Sequence, residues 1–429
     1  MIARPKFHFT PKKGWINDPN GTVYINGEYH LFYQHYPDDI VWGPMHWGHA
    51  TSKDLLNWEH KGIALFPDEL GYVFSGSCVF DKENVSGLGT KENPPLLAYF
   101  TSHHPDTGEE QQSLAYSTDY EHFTKYENNP IISNRKDSSV YKQDFRDPKV
   151  FINPIRGGFT MVLSAGPVVE FYFTKDLIHW EKSGEFNPNV YEDCGICECP
   201  DCVPLETEEG MKWVLFISFW KDNRHFMRYF VGEFDGETFV ETGSVNGPLL
   251  LDFGLDNYAM VSFNNSAPLM IGWGECWEYA NQTPASVYRG KMTIPRIPSL
   301  VKTKYGYRLR FTPTSEAPQK EYCLNPGEEI VFSNDCNEEL KIKVTETEVI
   351  VDRRKAGDFS FSNCFDLEEF LIHRAKRFTG GTCKITVVQD EGYFEIFAED
   401  GLLTFSVMTY PKTPLNLVCY ISMNPGLEA

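Results

Sequence analysis

Short runs in which apolar and polar residues alternate, separated by turn residues, account for much of the chain. Alternation with a period of two places successive side chains on opposite faces of a strand, and residues 1–300 lack the long 3.6-residue periodicity of amphipathic helices. The pattern predicts an all-β protein, and residues 7–10 near the start also have the composition of a strand. The clearest predicted strands are residues 22–24, 29–33, 96–100, 159–163, 213–217, 340–344, 384–388, 393–397 and 403–407.

A polar loop recurs four times with the same internal spacing. In each copy an aspartate is followed four residues later by an aromatic residue, and the copies are about sixty residues apart. A period of that length, rich in short strands, predicts a radially repeated architecture in which each unit is one four-stranded blade of a propeller. Residues 1–300 then hold about five blades. The four copies start at Asp54, Asp119, Asp176 and Asp235.

The remaining residues predict a second, smaller domain. A passage dense in proline (Pro295, Pro298, Pro313 and Pro318) marks a boundary. Beyond it the alternation resumes, and Asp400-Gly401 between two strands is typical of a hairpin turn. We therefore predict a five-bladed β-propeller over 1–300, a linker over 301–320 and an antiparallel β-sandwich over 321–429, which is expected to play an accessory role.

Composition and charge narrow the range of functions. Aromatic residues make up 15% of the 429 residues, which suits strands, and the net charge of −21 argues against nucleic acid and anionic membranes as partners. Neutral sugars, bound through aromatic faces and hydrogen bonds, are not repelled. No run approaches the roughly 18 to 20 apolar residues of a membrane span, and the first residues lack the apolar stretch of a secretory signal. Eleven cysteines cannot all pair, so thiols kept reduced in the cytoplasm are the simplest interpretation.

Three acidic residues stand in unusual local contexts, each in a different repeat unit. Asp18 precedes Pro19 in Trp-Ile-Asn-Asp-Pro-Asn-Gly, Asp147 precedes Pro148 at the start of another predicted strand, and Glu198 lies between two cysteines. Because the innermost strands of a propeller converge on its axis, these carboxylates are expected to meet in one funnel. Paired carboxylates are what hydrolysis of a sugar acetal requires. From the residues alone, each remains equally compatible with a turn or cap position.

These segments resemble a known family. Residues 15–21, Phe145-Arg146-Asp147-Pro148 and Glu198-Cys199-Pro200 are similar to the three signature motifs of glycoside hydrolase family 32, the β-fructosidases. Further similar blocks occur at 7–11, 31–34, 45–49, 74–77 and 293–296. The resemblance implies the same fold, a five-bladed propeller followed by a β-sandwich, and hydrolysis of terminal fructose from sucrose and short fructans.

The resemblance also implies roles for individual residues. Asp18 corresponds to the nucleophile of a retaining mechanism, Glu198 to the acid/base, and Asp147 to a residue that holds sugar hydroxyls and stabilises the transition state. The family uses no metal or organic cofactor, and a small carbohydrate is the only partner implied. The residues expected to bind the substrate are Trp15, Asn17, Gln34, Trp42, Phe74, Ser75, Arg146, Tyr258 and Trp277.

Several alternatives stay open at the level of sequence. A fructosyltransferase shares the covalent intermediate and differs only in its acceptor, a non-catalytic sugar-binding propeller is a further possibility, and oligomeric state is not predicted. The preferred substrate could be sucrose, sucrose-6-phosphate, inulin or levan. A phosphate group would call for cations near the pocket, for which Lys221, Arg224, His225 and Arg228 are candidates that solvated loop charges explain equally well. The spacing of Cys194, Cys197, Cys199 and Cys202 is compatible with a metal site but too tight for two independent knuckles.

Overall fold

Thirty-one β-strands arranged in seven sheets make up the computed structural model, which describes residues 3–190, 193–242 and 249–421. The helical residues of this part lie in four 3-10 helices of three or four residues, so the prediction of an all-β protein is confirmed. None of the helices described is long and apolar enough to cross a membrane. The 3-10 helices are Pro188–Val190, Ala280–Gln282, Asn363–Asp366 and Glu368–Phe370.

Five antiparallel sheets follow one another along residues 14–313, and each is built chiefly from strands consecutive in the chain. The first sheet contains β1 (Gly14–Ile25), β2 (Glu28–Tyr36), β3 (His46–Ser52) and β4 (Glu59–Leu65). The second contains β5 (Tyr72–Phe80), β6 (Leu96–His103), β7 (Glu110–Ser117) and β8 (Thr124–Lys125). The third contains β9 (Phe145–Ile152), β10 (Phe159–Ala165), β11 (Val168–Thr174) and β12 (Glu181–Phe186).

The fourth and fifth sheets complete this group. The fourth contains β13 (Ile196–Thr207), β14 (Gly210–Lys221), β15 (Arg224–Phe234) and β16 (Phe239–Glu241), with β17 (Leu249–Leu250) paired to β15. The fifth contains β18 (Tyr258–Ser262), β19 (Met270–Trp273), β21 (Arg296–Thr303) and β22 (Gly306–Pro313). Between β19 and β21 the short strand β20 (Tyr288–Arg289) leaves this sheet and pairs in parallel with β1.

The four repeated loops occupy equivalent places in the first four sheets, where each joins the third strand to the fourth. In every copy one oxygen of the aspartate accepts hydrogen bonds from the backbone N–H groups two and three residues later, at 2.7–3.0 Å. An Asx turn of this kind lets a tight connection satisfy its own backbone. The repeat inferred from the sequence therefore corresponds to a repeated structural unit.

The first strands of the five sheets contact one another in a closed ring. β1 packs beside β5, β5 beside β9, β9 beside β13, β13 beside β18, and β18 beside β1. The parallel pairing of β20 with β1 and hydrogen bonds between β1 and Asn264 tie the fifth sheet to the first. The ring brings together residues that are widely separated in the chain.

Two further sheets pack on each other over residues 320–421. Their facing side chains form one apolar cluster that includes Ile330, Leu340, Ile385 and Phe405. The predicted turn at Asp400-Gly401 joins two paired strands, with both residues at positive φ. One sheet contains β23 (Lys320–Leu324), β28 (Cys383–Asp390), β29 (Tyr393–Ala398) and β30 (Leu403–Met408), and the other contains β24 (Glu329–Ser333), β25 (Glu339–Val344), β26 (Glu348–Lys355), β27 (Ile372–Lys376) and β31 (Asn416–Ile421).

Buried ion pairs join these two sheets to the first five. Arg296 on β21 is fully buried, and its guanidinium donates to Glu395 on β29 at 2.5 and 2.8 Å. Arg353 on β26 is equally buried and donates to Asp256 Oδ2, just before β18, at 2.8 Å. Charges removed from water to this degree require complete hydrogen bonding, which fixes the two groups of sheets against each other.

Two expectations from the sequence differ from the structure. Residues 7–10 form no strand; instead the His8 ring lies between Asp390 and Glu395, at 3.0 and 2.8 Å, and anchors the first residues to β28 and β29. The segment for which we expected a linker, 301–320, contains the end of β21 and all of β22. Of its two prolines, Pro313 is the last residue of β22, and Pro318 lies in the irregular stretch between the two groups of sheets, which is limited to 314–319.

Candidate active site

Every first strand of the ring carries a β-bulge, and the bulges of β1, β5 and β9 hold five of the residues that line one cavity. In each bulge two residues of the first strand face a single residue of the second. A bulge re-aims side chains that a regular strand would alternate between its two faces. The five bulges contain Asn17 and Asp18 on β1, Phe74 and Ser75 on β5, Asp147 and Pro148 on β9, Cys199 and Pro200 on β13, and Ala259 and Met260 on β18.

The cavity at this level of the ring has a volume of about 410 Å³. It receives the carboxylates of Asp18, Asp147 and Glu198, which come from three different sheets. The convergence expected from the repeat is therefore present in the structure. The lining residues are Asn17, Asp18, Gln34, Trp42, Phe74, Ser75, His103, Glu110, Asp144, Arg146, Asp147, Glu198, His225 and Trp277.

Asp18 is held by donors on both of its oxygens. Asn17 Nδ2 donates to Oδ1 at 3.1 Å, and Ser75 Oγ donates to Oδ2 at 2.6 Å. The thiol of Cys199 lies 3.5 Å from the same Oδ2. Burial raises the pKa of Asp18 above its ordinary value, and the hydrogen bonds from Ser75 and Asn17 partly oppose that shift. The carboxylate is thus fixed in direction and partly buried.

Asp147 is the most enclosed of the three acids, and it takes a left-handed backbone conformation with φ of +66°. Its N–H donates to Thr101 Oγ1 at 3.0 Å, while Oδ2 accepts from the Cys199 N–H at 2.9 Å. Burial raises the pKa of Asp147 to about 7, against the opposing charge of Arg146. A non-glycine residue rarely holds this backbone conformation, and such strain is concentrated at functional positions.

Two neighbours fix the carboxylate of Glu198. Arg146 Nη2 donates to Oε1 at 3.0 Å, and the hydroxyl of Tyr258 donates to Oε2 at 2.5 Å. The Glu198 side chain is 21% exposed, so it faces the open side of the cavity. It can exchange a proton with a group bound there, while its orientation is set by residues of two other sheets.

Most of the predicted substrate-binding residues line the cavity, and two do not. Trp42 is 41% exposed and is edge-on to Phe74, which places two aromatic rings at the mouth. Trp15 is completely buried, and its Nε1 donates to Asn17 Oδ1 at 2.8 Å. Tyr258 lies behind Glu198. These two residues orient cavity residues rather than line the cavity, whereas Asn17, Gln34, Phe74, Ser75, Arg146 and Trp277 line it as expected.

Four further polar residues line the cavity and were not found from the sequence. His103 stacks on Phe74 with ring centroids 4.3 Å apart, and its Nδ1 lies 3.2 Å from Glu110 Oε1. Glu110 and Asp144 both accept hydrogen bonds from Arg146. His225 was considered only as part of a basic cluster. Of these four residues, only Asp144 could have been found from the sequence, because it stands two residues before Arg146 in the same motif segment.

The cysteine cluster and the basic cluster are both dispersed by the fold. Cys199 packs towards the carboxylates, whereas Cys194, Cys197 and Cys202 lie in an apolar core beside Val162 and Phe171. No group of metal-ligating side chains is found among the residues described. In the basic cluster, Lys221 pairs with Asp193 and Arg224 with Glu369, at 3.1 Å each, while His225 alone of the four candidates lines the cavity.

Taken together, the site offers two carboxyl groups, those of Asp18 and Glu198, that hydrogen bonds hold in position in a polar cavity with aromatic residues at its mouth. This arrangement suits attack on an acetal carbon by one acid and proton donation to the departing oxygen by the other. The third acid and Arg146 provide a dense set of hydrogen-bonding groups for a ligand rich in hydroxyls.

Comparisons with known proteins agree with this chemistry. Residues 8–313 match the model for the glycosyl hydrolases family 32 N-terminal domain. A levanase of Bacillus subtilis is 37% identical over 99% of this chain and 69% of its own length, and an invertase of Schizosaccharomyces pombe is 38% identical over 68% of this chain and 52% of its own. The chain thus spans about half the length of that invertase. The crystal structure of an exo-inulinase from Aspergillus awamori has a TM-score of 0.85 at 28% identity, covering 97% of this chain and 95% of the exo-inulinase.

Proposed function

The chain belongs to glycoside hydrolase family 32, and from that membership we propose that it is a β-fructofuranosidase that releases terminal fructose from sucrose and fructans. The observation that carries the proposal is the meeting of Asp18, Asp147 and Glu198, supplied by three separate sheets, in one cavity. Relatives called levanase, invertase and exo-inulinase support a fructoside as the substrate.

In the proposed first step, an oxygen of Asp18 attacks the anomeric carbon of the terminal fructosyl unit. The bond from that carbon to the leaving oxygen breaks, and Glu198 gives its proton to that oxygen as it departs. Ser75 and Asn17 hold Asp18 in place, so little reorganisation is needed before attack. The product of this step is a covalent fructosyl-enzyme with an ester bond to Asp18.

In the proposed second step, water attacks the same carbon from the side that the leaving group has vacated. Glu198, now a carboxylate, takes a proton from this water, and the bond to Asp18 breaks. Fructose leaves with its configuration retained, and Glu198 ends protonated, ready for another cycle. The hydrogen bonds from Tyr258 and Arg146 keep the same carboxyl group in position in both steps.

Asp147 is proposed to bind sugar hydroxyls beside the reacting carbon. Its burial raises its pKa to about 7, so it can accept or donate a hydrogen bond near neutral pH. As positive charge develops on the fructosyl ring, the neighbouring carboxylates are stabilising. Gln34, Phe74, Trp42 and Trp277 are proposed to bind the remaining surface of the substrate, with Trp42 at the mouth.

We further propose that the five sheets of residues 14–313 are the blades of a five-bladed propeller and that the last two sheets form a β-sandwich. The closed ring of first strands and the shared apolar cluster of the last two sheets support this assignment. The division would fall in 314–319. We also propose the cytoplasm as the site of action, because eleven cysteines cannot all pair and thiols are kept reduced there; subcellular fractionation would test this.

The function is tested by kinetics with purified protein on sucrose, sucrose-6-phosphate, 1-kestose, inulin and levan. We expect fructose release from sucrose and fructans, and loss of at least about 10³-fold in kcat for Asp18→Asn, which keeps the shape but removes the nucleophile. The variant Asp54→Asn, in a surface loop of the first sheet, is the control and should keep full kcat. Absence of fructose release by the unaltered protein, or undiminished activity of Asp18→Asn, would refute the proposal.

Product analysis at high sucrose concentration shows whether water or a second sugar accepts the fructosyl group. Hydrolysis predicts equal amounts of fructose and glucose, whereas a fructosyltransferase would form longer oligosaccharides. For the 6-phosphate, the pairing of Lys221 with Asp193 and of Arg224 with Glu369 argues against a preformed phosphate site. We therefore expect no preference for sucrose-6-phosphate over sucrose.

A further inference from the structure

Arg146 is surrounded by three carboxylates as well as by the sugar cavity. Its Nη1 donates to Asp144 Oδ1 at 2.9 Å and to both oxygens of Glu110 at 3.2 Å, while Nη2 donates to Glu198 Oε1 at 3.0 Å. Glu110 lies at the start of β7 and is 6% exposed, and the Arg146 side chain is 13% exposed. One guanidinium thus connects the proposed acid/base to two further acids at close range.

A guanidinium beside a general acid has two opposed effects. Its hydrogen bond fixes the direction of the carboxyl group, but its positive charge favours the ionised form of that group. The first proposed step requires Glu198 to carry a proton. An isolated Arg146 would therefore hold Glu198 in the wrong state, unless other negative charges balance it.

We propose that Glu110 is a positioning residue that neutralises Arg146, so that Arg146 can orient Glu198 without withdrawing its proton. The inference rests on the proposed function, because it assigns Glu198 the role of general acid. Glu110 is suited to the task because it is buried, contacts Nη1 with both oxygens, and leaves Nη2 directed at Glu198. Buried charges interact more strongly than exposed ones.

Other ionisable groups also face Arg146, Glu110 or Glu198, and the test must leave them unchanged. They lie on six of the strands around the network and in the segment before β9. They are Asp18 on β1, His103 on β6, Tyr141 and Asp144 before β9, Asp147 on β9, Cys199 on β13, His225 on β15 and Tyr258 on β18. Because they are the same in all Glu110 variants, a difference between those variants reports on Glu110.

The test is the pH profile of kcat/KM on sucrose, whose falling limb at high pH follows deprotonation of the general acid. In Glu110→Gln, Arg146 keeps its charge but loses a counter-charge, so the falling limb should move to lower pH by about one unit. Glu110→Asp keeps the negative charge, so its falling limb should lie close to that of the unaltered protein. Glu109→Gln removes an equal charge one residue away, from a half-buried side chain outside the cavity lining that accepts a hydrogen bond from the Lys136 N–H, and should leave the limb in place.

Asp144→Asn provides a second variant if Glu110→Gln fails to fold. Asp144 is 20% exposed and has φ of +53°, which asparagine tolerates, and the limb should again move to lower pH. An unmoved falling limb in the folded variants, or an equal shift in Glu109→Gln, would overturn the inference. If the unaltered protein released no fructose, the proposed function itself would fail, which is a separate outcome.

Discussion

Replacing Arg353 with methionine should destabilise the protein by about 3 to 5 kcal/mol, because it breaks a fully buried ion pair while leaving the partner charge in place. Arg353 donates to Asp256 Oδ2, to the carbonyls of Phe370 and Met408, and to the hydroxyl of Tyr279. Both members of the ion pair are completely buried. Methionine is similar in length and apolar, so the loss of packing is small compared with the loss of these bonds.

The size of the expected loss in stability follows from the contacts that Asp256 keeps and loses after the substitution. Asp256 would keep hydrogen bonds from the Met408 N–H and the Tyr279 hydroxyl, but it would lose its only cationic partner among the residues described. An uncompensated buried charge accounts for most of the cost, and two carbonyls left without a donor add about 1 kcal/mol each at most. Removing both charges in Arg353→Met/Asp256→Leu should recover part of the loss, since an apolar pair of similar volume needs no desolvation of charge.

The assay is urea unfolding followed by tryptophan fluorescence, with the free energy of unfolding obtained by linear extrapolation. Arg354→Met is the matched control: Arg354 is the next residue, and its side chain is 58% exposed in a surface pair with Asp352. Such a pair contributes at most about 1 kcal/mol. The reasoning would be refuted if Arg353→Met lost no more stability than Arg354→Met, or if the double variant lost as much as the two single changes added together.

Two further predictions concern pH. Tyr258→Phe removes the 2.5 Å hydrogen bond to Glu198 Oε2, which stabilises the ionised form of that acid. The falling limb of the kcat/KM profile should therefore move to higher pH by about one unit, the opposite direction from Glu110→Gln. An unmoved limb would contradict this role of Tyr258. Burial lowers the pKa of His30 to about 4, so between pH 6.5 and 4 the unfolded chain binds a proton that the folded protein does not, and stability falls with falling pH by up to about 1.4 kcal/mol per unit. His30→Gln should flatten the pH dependence of the urea unfolding free energy by that amount, and an unchanged slope would contradict the assignment.

The parts of the fold that were predicted from the sequence depend on local chemistry. The repeated aspartate loops could be recognised because each Asp bonds to N–H groups two and three residues later, so the signal lies within a few residues. The segments around Asp18 and Asp147 stood out because a proline follows the acid at a bulge. The sequence also predicted that both acids lie in one cavity, because the repeat places them at equivalent positions in different sheets.

The parts that were missed depend on strand pairing and on contacts between sheets. Glu110 and His103 are paired across β6 and β7, and only this register brings them to Arg146 and Phe74. Trp15 was expected to bind the substrate because its segment resembles a family motif, and in a regular strand it would share a face with Asn17, two residues away. The bulge begins after Ile16 and breaks that alternation, so Trp15 turns into the core beside Trp273.

The pairing of β20 with β1 has a consequence for the order in which the protein can become active during synthesis. Arg289, whose strand ties the fifth sheet to the first, is translated long after Asp18, Asp147 and Glu198, and Glu395, to which Arg296 donates, is translated later still. A nascent chain therefore carries all three acids well before it has a complete cavity to hold them. Ribosome-bound intermediates should bind no fructoside, and two inactive fragments divided between β17 and β18 could regain activity only by rejoining.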